Sequence, residues 1–432
     1  MIWNSQDETM PREELRKLQG KRLKNIVFNA YERIEYYRNK MDNIGVKPSD
    51  IESIEDIVKL PFLTKDELRE VYPYGLLAVD KKDIVEIHTS SGTTGKPVVD
   101  AYTQRDIDLW SEVMARTLSM GGTSRNDIVH NAFGYGLFTG GLGVHYGARK
   151  IGAVVLPISG GNTKRQLSVM KDFGSSVLAC TPSYSLYVAE AAKEEGIDMA
   201  SLPLKAGFFG AEPWSDNMRA EIEEKLNLKA IDIYGLTEII GPGVASECEF
   251  QNMLHIYEDH FFAEIVDPVT GEQLSEGKEG ELVLTTLTKE GTPMIRYRTR
   301  DVTYLSTEKC ECGRSLVRMH RLLGRTDDML IVRGVNIFPS QVEQVLLRVD
   351  GIEPHYEILV DRMAQLDYLE VRVEMNDSLF SDEIKYVEKK EKEIEHELKE
   401  ELLISSKVKL VEPRGIGRSE GKAKRIIDKR KI

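Results

Sequence analysis

Residues 90–97 read SSGTTGKP, a run that combines two glycines, four hydroxyl side chains and one lysine. The apolar stretch IVEI precedes it at 84–87, and Val98 and Val99 follow it. Glycine lets the backbone turn sharply, and successive N–H groups in such a turn form a concave anion site. Lys96 adds a mobile positive charge. The run therefore predicts a loop that holds the phosphates of a nucleotide, with a plain polar surface loop as the alternative.

This loop differs from the common P-loop. That motif separates its first glycine from a Gly-Lys pair by four residues and continues with Ser or Thr into a helix. Here Gly92 and Gly95 are only three positions apart, and Pro97 follows the lysine. Because proline lacks an N–H and cannot continue a helix interior, the loop requires a different family of nucleotide-binding proteins.

Length and composition exclude several classes of protein. A chain of 432 residues predicts two or more domains, and 41% hydrophobic with 30% charged residues is typical of a globular protein with a large core. The net charge of −13 argues against nucleic acid as a partner. No apolar run is long enough to span a membrane, and the N-terminus has no apolar signal core, so we expect a cytoplasmic protein. Four cysteines are too few for a disulfide framework.

Short apolar runs alternate with amphipathic stretches through the first half of the chain. Met218, Ile222 and Leu226, for example, recur every four residues and share one helix face. Such alternation predicts an α/β sheet covered by helices. The predicted strands are 84–88, 128–133, 151–157, 176–181, 205–209 and 230–234, and the predicted helices between them are 104–119, 163–173, 183–195 and 215–226.

The pattern changes toward the C-terminus. Residues 255–305 contain strand-like runs joined by Gly/Pro turns and predict a small β-rich subdomain. Residues 381–403 predict a charged amphipathic helix. We place a boundary at Asp327, which gives an N-terminal domain of residues 1–326 and an α+β C-terminal domain of residues 327–432. The predicted fold class is thus α/β, with a large N-terminal domain, its β-rich subdomain and a small C-terminal domain.

Five motifs, taken together, resemble a known family. They are SSGTTGKP (90–97), YGLTE (234–238), YRTRD (297–301), GRTDD (324–328) and SEGK (419–422), in the order found in the ANL adenylate-forming superfamily. Within that superfamily the chain is similar to the phenylacetate–coenzyme A ligase branch, on the motifs YGLFTGG (135–141), GAEPW (210–214) and RGVNIFP (333–339). The resemblance spans about residues 60–430.

The resemblance implies an AMP-forming acid–thiol ligase. A carboxylate attacks the α-phosphate of ATP to give an acyl-adenylate and pyrophosphate, and the thiol of coenzyme A then displaces AMP. The implied substrate is an aryl or arylacetic acid, phenylacetate above all, as in phenylacetate catabolism. ATP, Mg²⁺ and coenzyme A are the implied cofactors, and a homodimer is the implied assembly.

The resemblance also implies a nucleotide site. Its members surround the phosphates, the adenine and the ribose in turn. They are Ser90, Ser91, Gly92, Thr93, Thr94, Gly95 and Lys96 at the β- and γ-phosphates, Gly210, Ala211, Glu212, Pro213, Asp232, Tyr234 and Gly235 at adenine, and Asp301 and Arg325 at the ribose.

Three residues are implied in catalysis and one in domain movement. Thr237 bonds the α-phosphate, Glu238 holds Mg²⁺, and Lys422 reaches the reacting carboxylate. Lys422 belongs to the smaller domain, so that domain must close to deliver it and is implied to be mobile. Asp327 occupies the hinge position of the family.

Aromatic residues suggest an acyl pocket. Phe133, Tyr135 and Phe138 provide flat apolar walls, while Gly136 and Gly141 leave room for a ring. Ordinary core packing is the alternative for each of these aromatics.

A separate metal site is predicted from the residues themselves. Cys248, His255, Cys310 and Cys312 supply three thiols and an imidazole, a set suited to structural, tetrahedral Zn²⁺. In a reducing compartment a metal explains these thiols better than a disulfide. The one-residue spacing of Cys310 and Cys312 is tighter than usual, and His260 is a competing ligand.

Other functions stay open at this point. One alternative is an enzyme that loads the thiol of a carrier protein, and another is a nucleotide-binding module without catalysis. A scaffold protein is the weakest alternative because it leaves the motifs without a purpose. We expect a small carboxylic acid and coenzyme A as partners, and neither nucleic acid nor a membrane.

Overall fold

A computed structural model describes residues 1–90, 96–326, 330–333, 335–363, 366–380, 384–419 and 425–430. None of the helices in these ranges is long and apolar enough to cross a membrane. The α-helices are α1 (Ser5–Glu8), α2 (Arg12–Arg33), α3 (Glu35–Asn43), α4 (Lys65–Glu70), α5 (Gln104–Met120), α6 (Thr139–Ile151), α7 (Thr163–Phe173), α8 (Pro182–Glu194), α9 (Asp216–Leu226), α10 (Pro339–Leu346), α11 (Asp377–Phe380) and α12 (Ile384–Leu402).

The strands form three larger sheets and two hairpins. They are β1 (Ile84–Thr89), β2 (Val99–Thr103), β3 (Ile128–Asn131), β4 (Val154–Leu156), β5 (Val177–Cys180), β6 (Ala206–Phe209), β7 (Lys229–Leu236), β8 (Gly241–Ser246), β9 (Leu254–Ile256), β10 (Phe261–Val266), β11 (Gly280–Thr286), β12 (Tyr297–Thr303), β13 (Leu305–Ser306), β14 (Arg318–Met319), β15 (Gly324–Arg325), β16 (Leu330–Val332), β17 (Val335–Ile337), β18 (Ile352–Met363), β19 (Leu366–Met375), β20 (Lys407–Val411) and β21 (Ile426–Asp428).

The largest sheet has nine strands in the order β13-β14-β9-β8-β7-β6-β5-β3-β4. The stretch from β7 to β4 is parallel, and the strands beyond β7 are antiparallel. Both faces of β5 are buried: Val177 and Ala179 join the cluster with α5 and α6, and Leu178 and Cys180 join the cluster with α7, α8 and α9. A strand covered on both faces reads as a continuous apolar run, which is why the sequence reveals it.

Helices α5 and α6 approach closely through glycine. A Cβ placed on Gly147 would lie 2.6 Å from the backbone carbon of Met114, too near for any side chain. The close packing of these two helices brings the start of α6, and the loop before it, against the carboxyl edge of the sheet. That loop follows β3 and carries Phe133 and Phe138.

The β-rich region predicted for 255–305 is present as an antiparallel sheet, β10-β11-β12-β15. Its last pairing sets Asp301 on β12 opposite Arg325 on β15. A short parallel bridge between Leu63 and Tyr297 joins this sheet to the segment before α4. The pairing of β12 with β15 therefore places Asp301 and Arg325 side by side.

The C-terminal region has its own sheet, β20-β19-β18-β21, and its own apolar cluster. Ile394, Leu398 and Leu402 of α12 are buried in that cluster, as the helical spacing predicts. Residues 327–329 lie outside the described ranges, so the boundary between 326 and 327 stays a prediction.

One predicted strand needs correction. The run 151–157 begins inside α6, and the strand is only Val154–Leu156. Gly152 ends the helix in the left-handed conformation, with φ 86°, and its N–H donates to the carbonyl of Ala148. This glycine cap separates helix from strand within a run whose apolar character is continuous.

Candidate active site

A cavity of about 710 Å³ lies at the carboxyl ends of the parallel strands. In open α/β sheets this edge is where ligands bind. Most of the predicted nucleotide site and part of the predicted acyl pocket line it. These lining residues are Ser90, Phe133, Phe138, Ala211, Glu212, Pro213, Asp232, Tyr234, Gly235, Thr237, Glu238, Asp301 and Arg325.

Other predicted residues are placed differently. Lys96, Gly210, Tyr135, Gly136 and Gly141 are not among the residues that line the cavity. Ser91, Gly92, Thr93, Thr94, Gly95, Asp327 and Lys422 lie outside the described residues.

Three residues from two sheets meet at one end of the cavity. The phenol of Tyr234, at the end of β7, donates a 2.6 Å hydrogen bond to Oδ2 of Asp301. Nη1 of Arg325 donates to Oδ1 of the same carboxylate at 2.5 Å. Burial and the charge of Asp301 raise the pKa of Tyr234 well above its ordinary value, so the phenol stays protonated and donates. The ring of Tyr234 is thereby held in a fixed position on the cavity wall.

A backbone contact explains the glycine beside Tyr234. A Cβ on Gly235 would lie 2.0 Å from the carbonyl oxygen of Gly241 on β8. Only glycine permits this approach of the two strands, which continues β7 into the Thr237–Glu238 turn. The pairing therefore fixes where Thr237 and Glu238 face the cavity.

Glu238 is a buried carboxylate at this turn. Its Oε1 lies 3.1 Å from Nζ of Lys65, but the pair lacks hydrogen-bond geometry, and Oε1 has no hydrogen-bond partner among the described residues. Lys65, near the start of α4, also lines the cavity. Sequence reasoning missed Lys65 as a site residue, and no local pattern distinguishes it from a helix-surface lysine.

Asp232 sits deeper in the same wall. Its backbone N–H donates a 2.9 Å hydrogen bond to the carboxylate of Glu247. The guanidinium of Arg219 in turn donates to both oxygens of that carboxylate, at 2.8 Å each. Burial, followed by the negative charge of Glu247, raises the pKa of Asp232 to about 7. This carboxyl therefore titrates near neutral pH.

The ends of the predicted phosphate loop come together. Ser90 and Val98 exchange backbone and side-chain hydrogen bonds, each of 3.0 Å, where β1 and β2 converge. Strands β1 and β2 thus form an antiparallel hairpin up to the described ends of the loop, and Ser90 lines the cavity. Lys96 points elsewhere, with its Nζ 5.8 Å from the ring centroid of Tyr72.

The predicted acyl pocket divides into two groups. Phe133 and Phe138 line the cavity, joined by Tyr184 and Trp214, which were not predicted there. The phenol oxygen of Tyr135 and the carbonyl of Gly141 instead accept 2.7 Å hydrogen bonds from the amide of Asn131. Because Asn131 binds both, these two residues brace the loop behind the wall.

A second cluster brings together the four predicted zinc ligands. The thiols of Cys248, Cys310 and Cys312 and a ring nitrogen of His255 all lie within 4.8 Å of one another. Cys248 and Cys310 are 3.7 Å apart at their sulfurs, and Sγ of Cys312 is 3.5 Å from Nε2 of His255.

His260, the competing ligand, is engaged elsewhere. Its Nδ1 lies 2.9 Å from the hydroxyl of Thr288, and its Nε2 lies 3.0 Å from Asp259. The geometry therefore favours His255 over His260 as the fourth member of the cluster.

Comparisons with known proteins place this architecture in a family. The model of the AMP-binding enzymes matches residues 25–287, and that of the AMP-binding enzyme C-terminal domain matches residues 334–430. The chain is 46% identical to a phenylacetate-coenzyme A ligase of Thermus thermophilus, with all of both chains covered. It is 47% identical to the Escherichia coli enzyme of the same name, over 98% of this chain and 97% of that one.

Solved structures give the same result. A 2-hydroxyisobutyryl-CoA ligase in the postadenylation state, complexed with 2-HIB-AMP, is 29% identical, covers 99% of this chain and 92% of its own, and superposes with a TM-score of 0.94. In the thioesterification state, with 2-HIB-AMP and CoA, a structure of that ligase is 30% identical over 100% of this chain and 93% of its own, with a TM-score of 0.74.

The fold and the cavity thus define an AMP-binding enzyme, a member of the adenylate-forming superfamily. Within that class, the chain belongs to the phenylacetate–coenzyme A ligase family. This membership confirms the predicted superfamily and branch, the α/β fold class with a large N-terminal and a small C-terminal domain, and the enzyme class of AMP-forming acid–thiol ligase.

Proposed function

We propose that this protein activates phenylacetate, or a closely related arylacetic acid, for transfer to coenzyme A. A carboxylate oxygen of the acid attacks the α-phosphorus of ATP, the bond to the β-phosphate breaks, and pyrophosphate leaves. The thiol of coenzyme A then forms a thioester, and AMP is released. The observation that carries this proposal is the single cavity wall that joins the Tyr234–Asp301–Arg325 group to Phe133 and Phe138.

The nucleotide end of the cavity supports the first half-reaction. Tyr234 offers a fixed ring face to adenine, and Asp301 offers carboxylate oxygens to the ribose hydroxyls. Thr237 would donate to the α-phosphate, and the predicted phosphate loop, which begins at the cavity-lining Ser90, would hold the β- and γ-phosphates. Holding two reactants in line contributes about 7–11 kcal/mol to such a reaction.

Glu238 fits the predicted magnesium role. It is a buried carboxylate with one oxygen that has no hydrogen-bond partner in the described part of the chain, and a hard cation prefers such an oxygen together with phosphates. Mg²⁺, when bound there with ATP, would neutralise charge on the phosphates. Lys65, 3.1 Å away, would balance the carboxylate when ATP is absent.

The apolar part of the cavity supports an aromatic acid. Phe133 is buried, Phe138 is exposed, and a Cβ on Gly140 would lie 2.7 Å from the ring of Phe138. The glycine therefore leaves space for the Phe138 ring, and the two rings form a flat apolar wall. A phenyl group suits such a wall through offset or edge-to-face contact.

Structural zinc fits the cysteine–histidine cluster. Tetrahedral zinc with bonds of about 2.3 Å to sulfur and about 2.0 Å to nitrogen requires S···S separations of ~3.8 Å and S···N separations of ~3.5 Å. The separations of 3.7 Å and 3.5 Å match those values. Three thiolates and one imidazole leave no open position, so the role is structural.

The zinc site would also support the cavity. His255 lies opposite Arg318 in the β9–β14 pairing, and the neighbouring pair is Leu254 with Met319. Leu254 and Met319 both line the cavity. Zinc would therefore fasten the two short strands that form this part of the wall.

Domain alternation is the proposed route to the second half-reaction. The higher TM-score, 0.94 against 0.74, goes with the relative in its postadenylation state, which supports the same arrangement of domains here. Lys422 would act in this arrangement, and rotation about Asp327 would open a path for coenzyme A. A homodimer and a cytoplasmic location stay predictions.

The test is ATP- and Mg²⁺-dependent pyrophosphate release with phenylacetate, benzoate, hydroxyphenylacetates, indoleacetate and hexanoate, each with and without coenzyme A. Turnover of an arylacetate to its thioester, dependent on coenzyme A, is the expected result. Pyrophosphate release without a thioester would identify another acceptor, such as a carrier-protein thiol. ATP binding without turnover of any acid would favour the inactive nucleotide-binding module.

A further inference from the structure

Two arginines bracket the segment that contains the predicted catalytic lysine. Arg418 precedes Lys422 by four residues and Arg425 follows it by three. Lys422 itself lies outside the described residues, but both arginines are described, and each is partly buried. Their contacts therefore determine how the two ends of this segment are held.

Arg418 connects the two domains. Its Nη1 and Nη2 donate to the buried carboxylate of Glu374 on β19, at 2.7 and 2.9 Å. Its Nε also donates to Glu190 on α8 of the large domain, at 3.1 Å. One guanidinium thus binds a carboxylate of its own domain firmly and a carboxylate of the other domain at the same time.

His355 reaches the same glutamate. Its Nε2 lies 2.8 Å from Oε1 of Glu190, so β18 and the Arg418 segment converge on one side chain of α8. Burial would raise the pKa of Glu190, but the hydrogen bond with His355 and the charges of His355 and Arg418 lower it to about 2. Glu190 is therefore ionised in this arrangement.

Arg425 secures the other end of the segment. It pairs with Glu343 of α10, and its guanidinium lies over the ring of Tyr356 at 4.4 Å. Oε1 of Glu343 accepts a 3.2 Å hydrogen bond from the backbone N–H of Ser215. Because Ser215 follows the cavity-lining Trp214, this end is tied to the cavity rim.

We propose that Glu190 is a positioning residue whose contacts with Arg418 and His355 hold the small domain against α8 of the large domain during adenylation and must break before coenzyme A reacts. The inference rests on the proposed two-step function and adds the specific contact that selects between its steps. Glu190 is not among the residues that line the cavity, so it acts through Arg418.

The energetic reason is a difference between two arrangements. A charge-assisted contact that exists in only one arrangement shifts the population toward that arrangement. Loss of the Glu190 charge should thus weaken the adenylating arrangement alone. The arrangement that forms the thioester makes no use of this contact and should be unaffected or favoured.

The experiment compares E190Q with wild type and with a matched control, E195Q. Glu195 caps the same helix, but its partner is Lys164 of the same domain, at 2.6 Å. Adenylation is measured as pyrophosphate release in a single turnover, and thioester formation is measured from preformed acyl-adenylate and coenzyme A. Small-angle scattering with AMP bound reports the domain arrangement independently of turnover.

We expect E190Q to slow adenylation about ten-fold, to leave thioester formation within two-fold of wild type, and to shift scattering toward a more open particle. E195Q should match wild type in all three. H355Q should change adenylation and scattering in the same direction as E190Q. It therefore provides a second test if E190Q folds poorly.

Equal loss of both half-reactions, or unchanged adenylation in E190Q, would overturn the proposal. A wild-type protein that turns over no acid would instead refute the proposed function. The contact could still be tested by scattering in that case, and a profile of E190Q identical to that of wild type would count against it.

Discussion

The phenol of Tyr234 donates a 2.6 Å hydrogen bond to the carboxylate of Asp301, and this contact joins the nine-stranded sheet to the β-rich sheet at the cavity. Arg325, opposite Asp301 in the strand pairing, completes the group. The proposed nucleotide site draws on residues of both sheets, so the proposed adenine and ribose contacts depend on one shared carboxylate.

Substitution of that carboxylate should weaken ATP binding. In D301A the ribose contact is lost, and Tyr234 and Arg325 lose their common acceptor, so we expect the KM for ATP to rise about 30-fold, in line with loss of one or two hydrogen bonds to a charged group. Initial rates against ATP concentration measure this.

The Y234F substitution separates the contribution of the Tyr234 ring from that of its hydroxyl group. It keeps the aromatic face and removes only the donor to Asp301, so its KM for ATP should rise less than five-fold. A D301A enzyme that folds and keeps the wild-type KM for ATP would exclude Asp301 from the nucleotide site.

Removal of the Glu238 charge should reduce adenylation. The carboxamide of E238Q is a poorer ligand for a hard cation, so the Mg²⁺ concentration needed for half-maximal pyrophosphate release should rise, and the rate at saturating ATP should fall about 100-fold. Titration of Mg²⁺ at fixed ATP measures both effects. E238D, which keeps the charge on a shorter side chain, should lose less; an unchanged Mg²⁺ dependence in E238Q would remove Glu238 from the metal role.

Metal analysis should find one zinc per chain, bound by Cys248, His255, Cys310 and Cys312. C310S should lose the metal, and its melting temperature should fall by about 5 °C or more, because binding energy at a structural site is folding energy. The KM for the acid should also rise, since the adjoining Leu254 and Met319 line the cavity.

Cys180 provides the control. It is buried in the apolar cluster beneath α8 and lies outside the metal cluster, so C180A should keep its zinc. A wild-type protein purified without chelator that holds no metal, or that holds a disulfide between Cys248 and Cys310, would refute the zinc assignment.

Local sequence patterns predicted the central sheet well. The apolar runs at 176–181 and 205–209 correspond to β5 and β6, and α7 begins and ends where its pattern does. Burial on both faces and periodic burial on one face leave direct traces in composition. These patterns involve residues close together in the sequence, so they can be recognised without knowing the fold.

Contacts between distant segments left no such trace. Lys65 beside Glu238, and His355 beside Glu190, each depend on how whole elements pack, and neither pair has a characteristic spacing. Tyr135 shows a different limit of motif reading. Its motif suggested the acyl pocket, but the hydrogen bond from Asn131 holds its phenol behind the cavity wall.

Asp232 should give the protein a pH-dependent stability. Burial and the charge of Glu247 raise its pKa from 3.8 to about 7, so the folded state retains a proton that the unfolded state releases between those values. This contribution to the free energy of unfolding therefore falls as pH rises through that window and is constant above about pH 7.

The asparagine variant isolates this effect. D232N cannot ionise, so the difference in unfolding free energy, wild type minus D232N, should decrease between pH 5 and pH 7 and then level off. Urea unfolding at pH 5, 6, 7 and 8 measures it. A difference that does not vary with pH would show that Asp232 keeps an ordinary pKa.

The hinge assigned to Asp327 should serve the second half-reaction more than the first. Proline fixes φ near −65°, so D327P should restrict the rotation that admits coenzyme A while the arrangement that adenylates is retained. We expect pyrophosphate release within about five-fold of wild type and thioester formation at least 100-fold slower, with the two steps assayed separately. D327A removes the side chain without restricting the backbone and should lose much less of the second step. Equal loss of both steps in D327P would mean that the residue supports folding of the junction and that the domains turn elsewhere.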